Sequence, residues 1–404
     1  MGASRKHHQS GSKSPIQVGL DVLVGERFRS LKGRRVGLLT NPASVDNLRV
    51  HAIDRFLGAS ELTLVRLFGP QHGIRGETQD NMIEWQSFRD PRTGLDAVSL
   101  YGEHRKPTPE MLEGLDALVI DLPDVGARYY TFLWTAALTL QACRSAGVEV
   151  FILDRPNPLG GLFVEGPGID EGYESFVGLH SLPIRHGFTI GEALRWVARR
   201  LGTPVRVIRM RGWGRRPWFD RTGAPWVLPS PNMPTLDTAV VYPGMCLLEG
   251  TTVSEGRGTT RPFEIFGAPW IDPDRLTSRL RGAKLPGLHV RPLWFQPTFQ
   301  KHAGEICGGA QLHVTDRVRY YPVRTGVAVL AAVREQLPPG QLLWSPPPYE
   351  YEAVKPPIDI LSGGPHLREA IDQGQGWAEI ADHWESWEEA WRMERIEWLL
   401  YGQG

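Results

Sequence analysis

Apolar runs typical of strands alternate with helical segments in the first half of the chain, and this alternation constrains the fold most. The run DALVIDL at 116–122 precedes the helical segment TFLWTAALTLQACRSAG at 131–147, and the strand-like run VEVFILD follows at 148–154. Strands with near-continuous apolar sequence are buried on both faces of a sheet. We therefore predict an α/β fold with a mostly parallel sheet and helices on both of its faces.

The second half of the chain has a different character. Beyond residue 210 proline and glycine become frequent, and WVLPSPNMPTLDTAVVYPG at 226–244 looks like a long crossing segment. The runs GAQLHVTD and TGVAVLAAVREQL further on predict a smaller C-terminal α+β domain. We place the boundary near Leu236, giving a disordered tail at 1–17, an N-terminal domain at 18–236 and a C-terminal domain at 237–404.

Composition excludes several classes of partner. The 45 basic and 45 acidic residues balance, so nucleic acid is not an expected partner. The three cysteines are too scattered for a disulfide framework or a zinc site. The first residues lack the apolar core of a secretory signal, and no run approaches the roughly 18 apolar residues of a membrane span. We expect a cytoplasmic protein without a membrane partner; its oligomeric state is not indicated.

Several common chemistries leave no trace in the sequence. The first strand is not followed by G-x-G-x-x-G, and P-loop, G-x-S-x-G and HExxH motifs are all missing. Histidines and carboxylates do not fall at tight metal-ligand spacing, so no metal is expected, and only a site assembled from distant loops stays open. Proton transfer by carboxylates and histidine on a polar substrate is the chemistry that remains.

Polar side chains collect where the predicted strands end. In an open parallel sheet, ligands bind outside the carboxyl ends of the strands. The residues after these ends, with a histidine of the later RHGF motif, are Thr40, Asn41, Gln71, His72, Arg75, Glu77, Tyr101, Asp121, Asp124, Arg128, Tyr129, Tyr130, Asp154, Arg155, Asn157, Glu165 and His186. A structural reading stays open: Asp121 pairs with Arg128 or Arg155, and His186 is a satisfied loop histidine.

A second polar cluster follows in the crossing segment and the stretch LLEGTTVSEGRGTTRPFE at 247–264. It contains Ser230, Asn232, Glu249, Thr251, Ser254, Glu255, Arg257 and Glu264. A long irregular stretch inside a compact protein usually has a function. We predict that this cluster forms the other wall of a cleft between the two domains.

Ordered motifs along the chain resemble one known family. These are GPQHGIRGE, DLPDVGARYYT, LDRPNPLGG, RHGFTIGE, PSPNMPT, SEGRGTTRPFEIFGAPW and PIDIL. They resemble the NamZ-type exo-β-N-acetylmuramidases from about residue 19 to about residue 400. The resemblance implies a Rossmann-like N-terminal domain, a smaller C-terminal domain and a cleft between them. It also implies release of N-acetylmuramic acid from the non-reducing end of peptidoglycan fragments, without a cofactor.

One position departs from the family pattern. The muramidases read Pro-Glu-His-Gly where this chain has Gln71, and an amide cannot exchange a proton at ordinary pH. Either the acid lies elsewhere or the reaction differs. We predict Glu77 as the general acid or base, Asp124 as the second carboxylate and His72 as the group that orients or relays the proton.

Substrate recognition is predicted from the chemistry of the sugar. Its lactyl carboxylate suits a bidentate arginine. Arg128 is the first choice, ahead of Arg155, Arg185 and Arg257. The other predicted binding residues are Gln71, Arg75, Tyr129, Tyr130, Asn157, His186, Asn232 and Glu255. Two other functions stay open: a sugar-binding protein without catalysis, and an amidase, esterase or transferase on a related substrate.

Overall fold

A seven-stranded sheet organises the N-terminal part of the computed structural model, which describes residues 15–402. Its strands are β1 Arg35–Thr40, β2 Thr63–Gly69, β3 Phe88–Arg89, β4 Asp96–Ser99, β5 Ala117–Asp121, β6 Glu149–Leu153 and β7 Val205–Ile208. The helices of this part are α1 Gly19–Gly25, α2 Ala52–Leu57, α3 Pro109–Leu112, α4 Thr131–Ala146 and α5 Ile190–Leu201.

The strand order is β3-β4-β2-β1-β5-β6-β7. All neighbouring pairs are parallel except β3 with β4, so β3 is an antiparallel edge strand. The chain builds outward from β1 through β2 to β4, and then crosses to β5 on the other side of β1. The two halves of the sheet therefore diverge between β1 and β5, which is the doubly wound arrangement that places ligand sites at the strands' carboxyl ends.

Alternate residues of the central strands pack against different helices. Leu118 and Ile120 of β5 belong to the core that includes α4 and α5, whereas Val119 belongs to the core that includes α1 and α2. Successive side chains of a strand point to opposite faces, so helices cover both faces of the sheet. The predicted α/β fold is confirmed.

The C-terminal part contains a smaller antiparallel sheet of order β8-β10-β9. Its strands are β8 Ile265–Ala268, β9 Leu288–Phe295 and β10 Cys307–Val314. The accompanying helices are α6 Leu236–Met245, α7 Pro273–Gly282, α8 Pro322–Arg334, α9 Pro357–Ser362, α10 His366–Asp372, α11 Trp377–Asp382 and α12 Glu385–Glu394. The predicted boundary near Leu236 falls at the first residue of α6. Between residues 15 and 402, no helix is both long and apolar enough to cross a bilayer.

Residues 1–14 of the predicted tail at 1–17 lie outside the described residues. Its last residues are folded. Ile16 is buried, and Gln17 exchanges backbone hydrogen bonds with Arg211. The prediction of disorder is therefore wrong for residues 16 and 17, because these residues pack onto the end of the sheet domain.

Candidate active site

A pocket lies at the carboxyl ends of β2 and β5 and is lined by residues from both halves of the chain. The β2 loop and the start of α4 contribute Gln71, His72, Asn81, Tyr129, Tyr130 and Thr131. The later chain contributes Ser230, Asn232, Tyr242, Glu249, Arg257, Phe263, Tyr349 and Glu350. The polar glycine-rich loop after β2 is therefore part of a pocket wall, as expected from the position of its strand.

Gln71 and Glu350 form the centre of a buried hydrogen-bond network. The Gln71 Oε1 accepts from the Thr131 hydroxyl at 2.7 Å, which fixes the amide orientation. Its Nε2 then donates to Glu350 Oε1 at 3.1 Å and to the Tyr101 hydroxyl at 3.0 Å. Tyr101 in turn donates to Glu350 Oε2 at 2.8 Å. Both oxygens of the Glu350 carboxyl therefore have neutral donors.

Burial changes the acidity of Glu350. The side chain lies almost wholly out of water, with 5% of the residue exposed. Burial, with a smaller contribution from the Glu249 carboxylate, raises the pKa of Glu350 to about 7, although the bonds from Tyr101 and Gln71 and the Arg257 charge act in the other direction. A carboxyl group with this pKa exchanges a proton efficiently near neutral pH.

The backbone around Glu350 is unusual. Tyr349 and Glu352 exchange both backbone hydrogen bonds at 2.9 Å, so Glu350 and Tyr351 are the two central residues of a tight hairpin turn. Both have positive φ, 44° and 68°, as in a type I′ turn that normally prefers Asn-Gly. Left-handed backbone costs a side-chain-bearing residue about 1–2 kcal/mol. This turn holds the Glu350 carboxyl in the pocket despite that cost.

A charge-balanced cluster borders the same pocket. The Glu249 carboxyl accepts hydrogen bonds from the Arg257 guanidinium at 2.7 Å, the Tyr349 hydroxyl at 2.5 Å and the Asn81 amide at 3.2 Å. Arg257 also lies 3.2 Å from Glu255, which pairs with Lys301 at 2.9 Å. Two acidic and two basic side chains thus compensate one another. Glu249 is paired with a cation, whereas the Glu350 carboxyl has only neutral donors.

His72 is a neutral imidazole in this pocket. Its Nδ1 lies 2.8 Å from the Thr78 carbonyl, and a carbonyl only accepts, so Nδ1 carries the proton. Burial lowers the pKa of His72 to about 4. The Nε2 atom is therefore an acceptor over the working pH range. It is suited to orienting a hydroxyl or a water, and the orienting role of His72 stays a prediction.

The structure separates Glu77 and Arg75 from this pocket. Glu77 is exposed and is not among the lining residues. Arg75 is half-exposed, pairs with Asp90 at 3.3 Å and lies over the Phe88 ring. Both follow Gln71 and His72 closely in the sequence, but the loop turns outward after them. Neither is placed to contact a ligand in the pocket, so we withdraw both predicted roles.

Three other predicted residues are structural. Arg128 is fully buried and donates to the backbone carbonyls of Pro167, Gly168, Leu182 and Leu361. Arg155 forms a bidentate pair with Asp121 at 2.6 and 2.8 Å, which confirms one of the two partners considered for that aspartate. Asn157 donates to the Phe188 carbonyl and accepts from Leu159. The predicted binding roles of Arg128, Arg155 and Asn157 are therefore wrong, because other groups already bind these side chains.

Asp124 and His186 form a separate buried pair. The Asp124 Oδ2 lies 3.4 Å from His186 Nε2 and accepts from the Gly126 N–H at 2.7 Å. Asp124 borders a different small pocket beside Arg155 and Trp226. The second carboxylate and the histidine expected in the main site therefore lie outside its lining. Glu255 reaches the pocket only through its contact with Arg257.

Six of the predicted residues do come together, namely Gln71, His72, Tyr129, Tyr130, Asn232 and Arg257. The sequence also drew attention to Glu249, but it gave no role to Glu350, Tyr101 or Asn81. Within residues 15–402, no group of three or more His, Cys, Asp or Glu side chains is arranged to hold a metal ion. The arrangement provides one carboxyl group with a raised pKa, one carboxyl group paired with an arginine, a neutral imidazole and several aromatic rings.

Comparisons with known proteins agree along the whole chain. Two family models, described as the N-terminal and C-terminal parts of exo-beta-N-acetylmuramidase NamZ, match residues 36–237 and 240–401. The peptidoglycan beta-N-acetylmuramidase NamZ of Bacillus subtilis (strain 168) is 40% identical over 396 residues, which cover 98% of this chain and 93% of that protein.

Two solved structures share the fold, and both are DUF1343 family proteins from Bacteroides fragilis NCTC 9343. One has 33% identity and a TM-score of 0.87, and the match covers 96% of this chain and 100% of that one. The other has 27% identity and a TM-score of 0.76, and the match covers 97% and 100%.

Proposed function

Because the chain belongs to the NamZ exo-β-N-acetylmuramidase family, we propose that it is a glycosidase that releases N-acetylmuramic acid from the non-reducing end of peptidoglycan fragments. One structural observation supports this proposal in addition to family membership. Two buried glutamates, Glu249 and Glu350, line a single pocket between the segments matched by the two family models.

The two carboxyl groups have the contrast that glycoside hydrolysis requires. Glycosidases typically use one carboxyl group that is protonated and another that is ionised. Glu249 contacts the Arg257 cation at 2.7 Å, whereas Glu350 has neutral donors and a pKa raised to about 7 by burial. The pocket therefore has one carboxyl group paired with a cation and one that exchanges a proton near neutral pH.

Arg257 is the proposed partner of the lactyl carboxylate. Of the four arginines considered, it alone lines the pocket. Arg128 and Arg155 are bound by backbone carbonyls and Asp121, and Arg185 is buried against Leu159. Since Glu249 and Glu255 already balance Arg257 and Lys301, an anionic substrate fits best when Glu350 is protonated. The Tyr130 and Phe263 rings supply surfaces for the pyranose ring.

The experiment that tests this function is a direct assay of sugar release. The protein is incubated with fragments that end in N-acetylmuramic acid at the non-reducing end, and free N-acetylmuramic acid is quantified by mass spectrometry. Matched fragments that end in N-acetylglucosamine are the control. We expect release from the first set alone. Binding without turnover would favour a sugar-binding protein, and turnover of an ester or amide would favour a different enzyme; either result contradicts the proposal.

A further inference from the structure

We infer that Glu350 is the catalytic residue that protonates the leaving oxygen, and that Gln71 is its positioning residue. The acid is thus assigned to the hairpin at 349–352, and the β2 loop supplies the amide that orients it. This inference rests on the proposed function and specifies how its pocket works.

The hydrogen-bond directions support this exchange of roles. Thr131 donates to Gln71 Oε1, so the amide nitrogen must face Glu350. That nitrogen holds one oxygen of the carboxyl, and the Tyr101 hydroxyl holds the other at 2.8 Å. An amide at position 71 cannot supply a proton, but it orients the neighbouring group that can. A carboxylate at this position would instead place two acidic groups about 3 Å apart, where both cannot ionise.

A purely structural role for Glu350 does not explain its surroundings. Within the described residues, its carboxyl forms no salt bridge, and its hydrogen bonds are to the neutral groups of Gln71 and Tyr101. Burying such a group is costly, and the turn that presents it adds left-handed backbone at Glu350 and Tyr351. Strained backbone of this kind clusters at functional sites. The cost of burial and the cost of the left-handed backbone thus both fall on Glu350, which lines the pocket.

The chemical step follows from this placement. The O–H bond of the Glu350 carboxylic acid breaks, and its proton binds the glycosidic oxygen. The bond between C1 and that oxygen breaks, and its electron pair stays with the leaving oxygen. The oxygen of a water molecule then forms a bond to C1, either directly as the leaving group departs or in a later step on an intermediate. One proton from that water is released and restores the acid form of Glu350 directly or through solvent. The net reaction consumes one water for each glycosidic bond.

Comparing kcat on two substrates shows whether Glu350 acts as a general acid or only supports the structure. Nitrophenolate leaves a sugar without prior protonation, whereas a sugar alkoxide requires it. We therefore compare kcat on 4-nitrophenyl β-N-acetylmuramide with kcat on the disaccharide of N-acetylmuramic acid and N-acetylglucosamine. Glu350→Gln should lower kcat on the disaccharide on the order of a hundredfold or more. The loss on the nitrophenyl substrate should be at least tenfold smaller.

A carboxylate exchange and a neighbouring control complete the test. The double variant Gln71→Glu with Glu350→Gln swaps the two groups across their hydrogen bond and should recover at least tenfold of the disaccharide activity. Glu352 lies on the same hairpin but outside the pocket, and its carboxyl accepts from the Val354 N–H. Glu352→Gln should therefore keep the kcat of the natural protein. Thermal melting checks that each variant is folded.

The outcomes separate this inference from the proposed function. If the natural protein releases N-acetylmuramic acid but Glu350→Gln keeps its disaccharide activity within threefold, the inference is overturned and the function stands. An equal loss on both substrates without recovery in the double variant also overturns it. If the natural protein turns over neither substrate, the proposed function itself fails. Should Glu350→Gln not fold, activity of the folded double variant supports the inference, and its inactivity contradicts it.

Discussion

The side-chain amide of Gln71 donates to the carboxyl of Glu350 at 3.1 Å, although 279 residues separate the two in the chain. The contact joins the loop after β2 to a hairpin near the C-terminal end. It brings a proton-exchanging carboxyl next to an amide that cannot exchange a proton. The pocket is thus assembled only when both parts of the chain have folded together.

Gln71→Glu should preserve turnover and move its pH dependence. The new carboxyl would face Glu350 at hydrogen-bond distance, and two such groups share one proton. The loss of activity at alkaline pH, which in the natural protein should follow the Glu350 pKa of about 7, should therefore move to higher pH. The measurement is kcat against pH from 5 to 10. If kcat of the variant fell over the same alkaline pH range as kcat of the natural protein, the two carboxyl groups would not interact.

Glu350→Gln should change how stability depends on pH. Burial raises the folded-state pKa of Glu350 from an ordinary 4.5 to about 7. The stability from its bound proton is full below pH 4.5 and is lost as pH rises through 7. Relative to the natural protein, the variant should gain unfolding free energy on the order of 3 kcal/mol between pH 4.5 and pH 8. Urea unfolding at both pH values measures this, and a pH-independent difference would contradict the assigned protonation.

Arg128→Gln should destabilise the fold without weakening sugar binding. The guanidinium donates to four backbone carbonyls at 2.7–2.9 Å, and its loss leaves buried acceptors without partners. We expect a loss of about 3 kcal/mol or more in unfolding free energy and an unchanged KM. Thermal melting and steady-state kinetics give both quantities. An unchanged melting temperature with a raised KM would return Arg128 to the binding site.

Arg257→Lys should weaken binding of N-acetylmuramic acid specifically. Glu249 and Glu255 contact Nη2 and Nε of Arg257, so the lactyl carboxylate is assigned to Nη1, and lysine keeps the charge but loses that third donor. The Kd for N-acetylmuramic acid should rise about tenfold, the equivalent of about 1.4 kcal/mol. N-acetylglucosamine lacks the lactyl group and serves as the control ligand in titration calorimetry. An equal loss for both sugars would assign Arg257 to the pocket structure instead of the lactyl group.

The sequence predicts the sheet and part of the site because both depend on local pattern. Apolar strands such as 116–122 reveal the parallel sheet, and the strand-end rule locates Gln71 and His72. These features depend on residues that are neighbours in the chain.

The remainder of the site depends on contacts that local pattern does not contain. Glu350 lies in a two-residue turn whose sequence lacks the Asn-Gly signal, so neither the turn nor its direction is evident. Arg128 and Glu77 also follow strand ends in the sequence, although less closely than Gln71 does. Their orientations depend on the carbonyls of residues 167–168 and 361 and on the outward course of the β2 loop. Tertiary packing decides which polar residues at a strand end face the ligand.

The most direct measurement is release of N-acetylmuramic acid from the disaccharide by the natural protein, Glu77→Gln and Glu350→Gln in parallel. Glu77 is exposed, whereas Glu350 is buried in the pocket. We predict that the natural protein and Glu77→Gln turn over at the same rate, and that Glu350→Gln loses on the order of a hundredfold or more. Loss of activity in Glu77→Gln with full activity in Glu350→Gln would contradict the account.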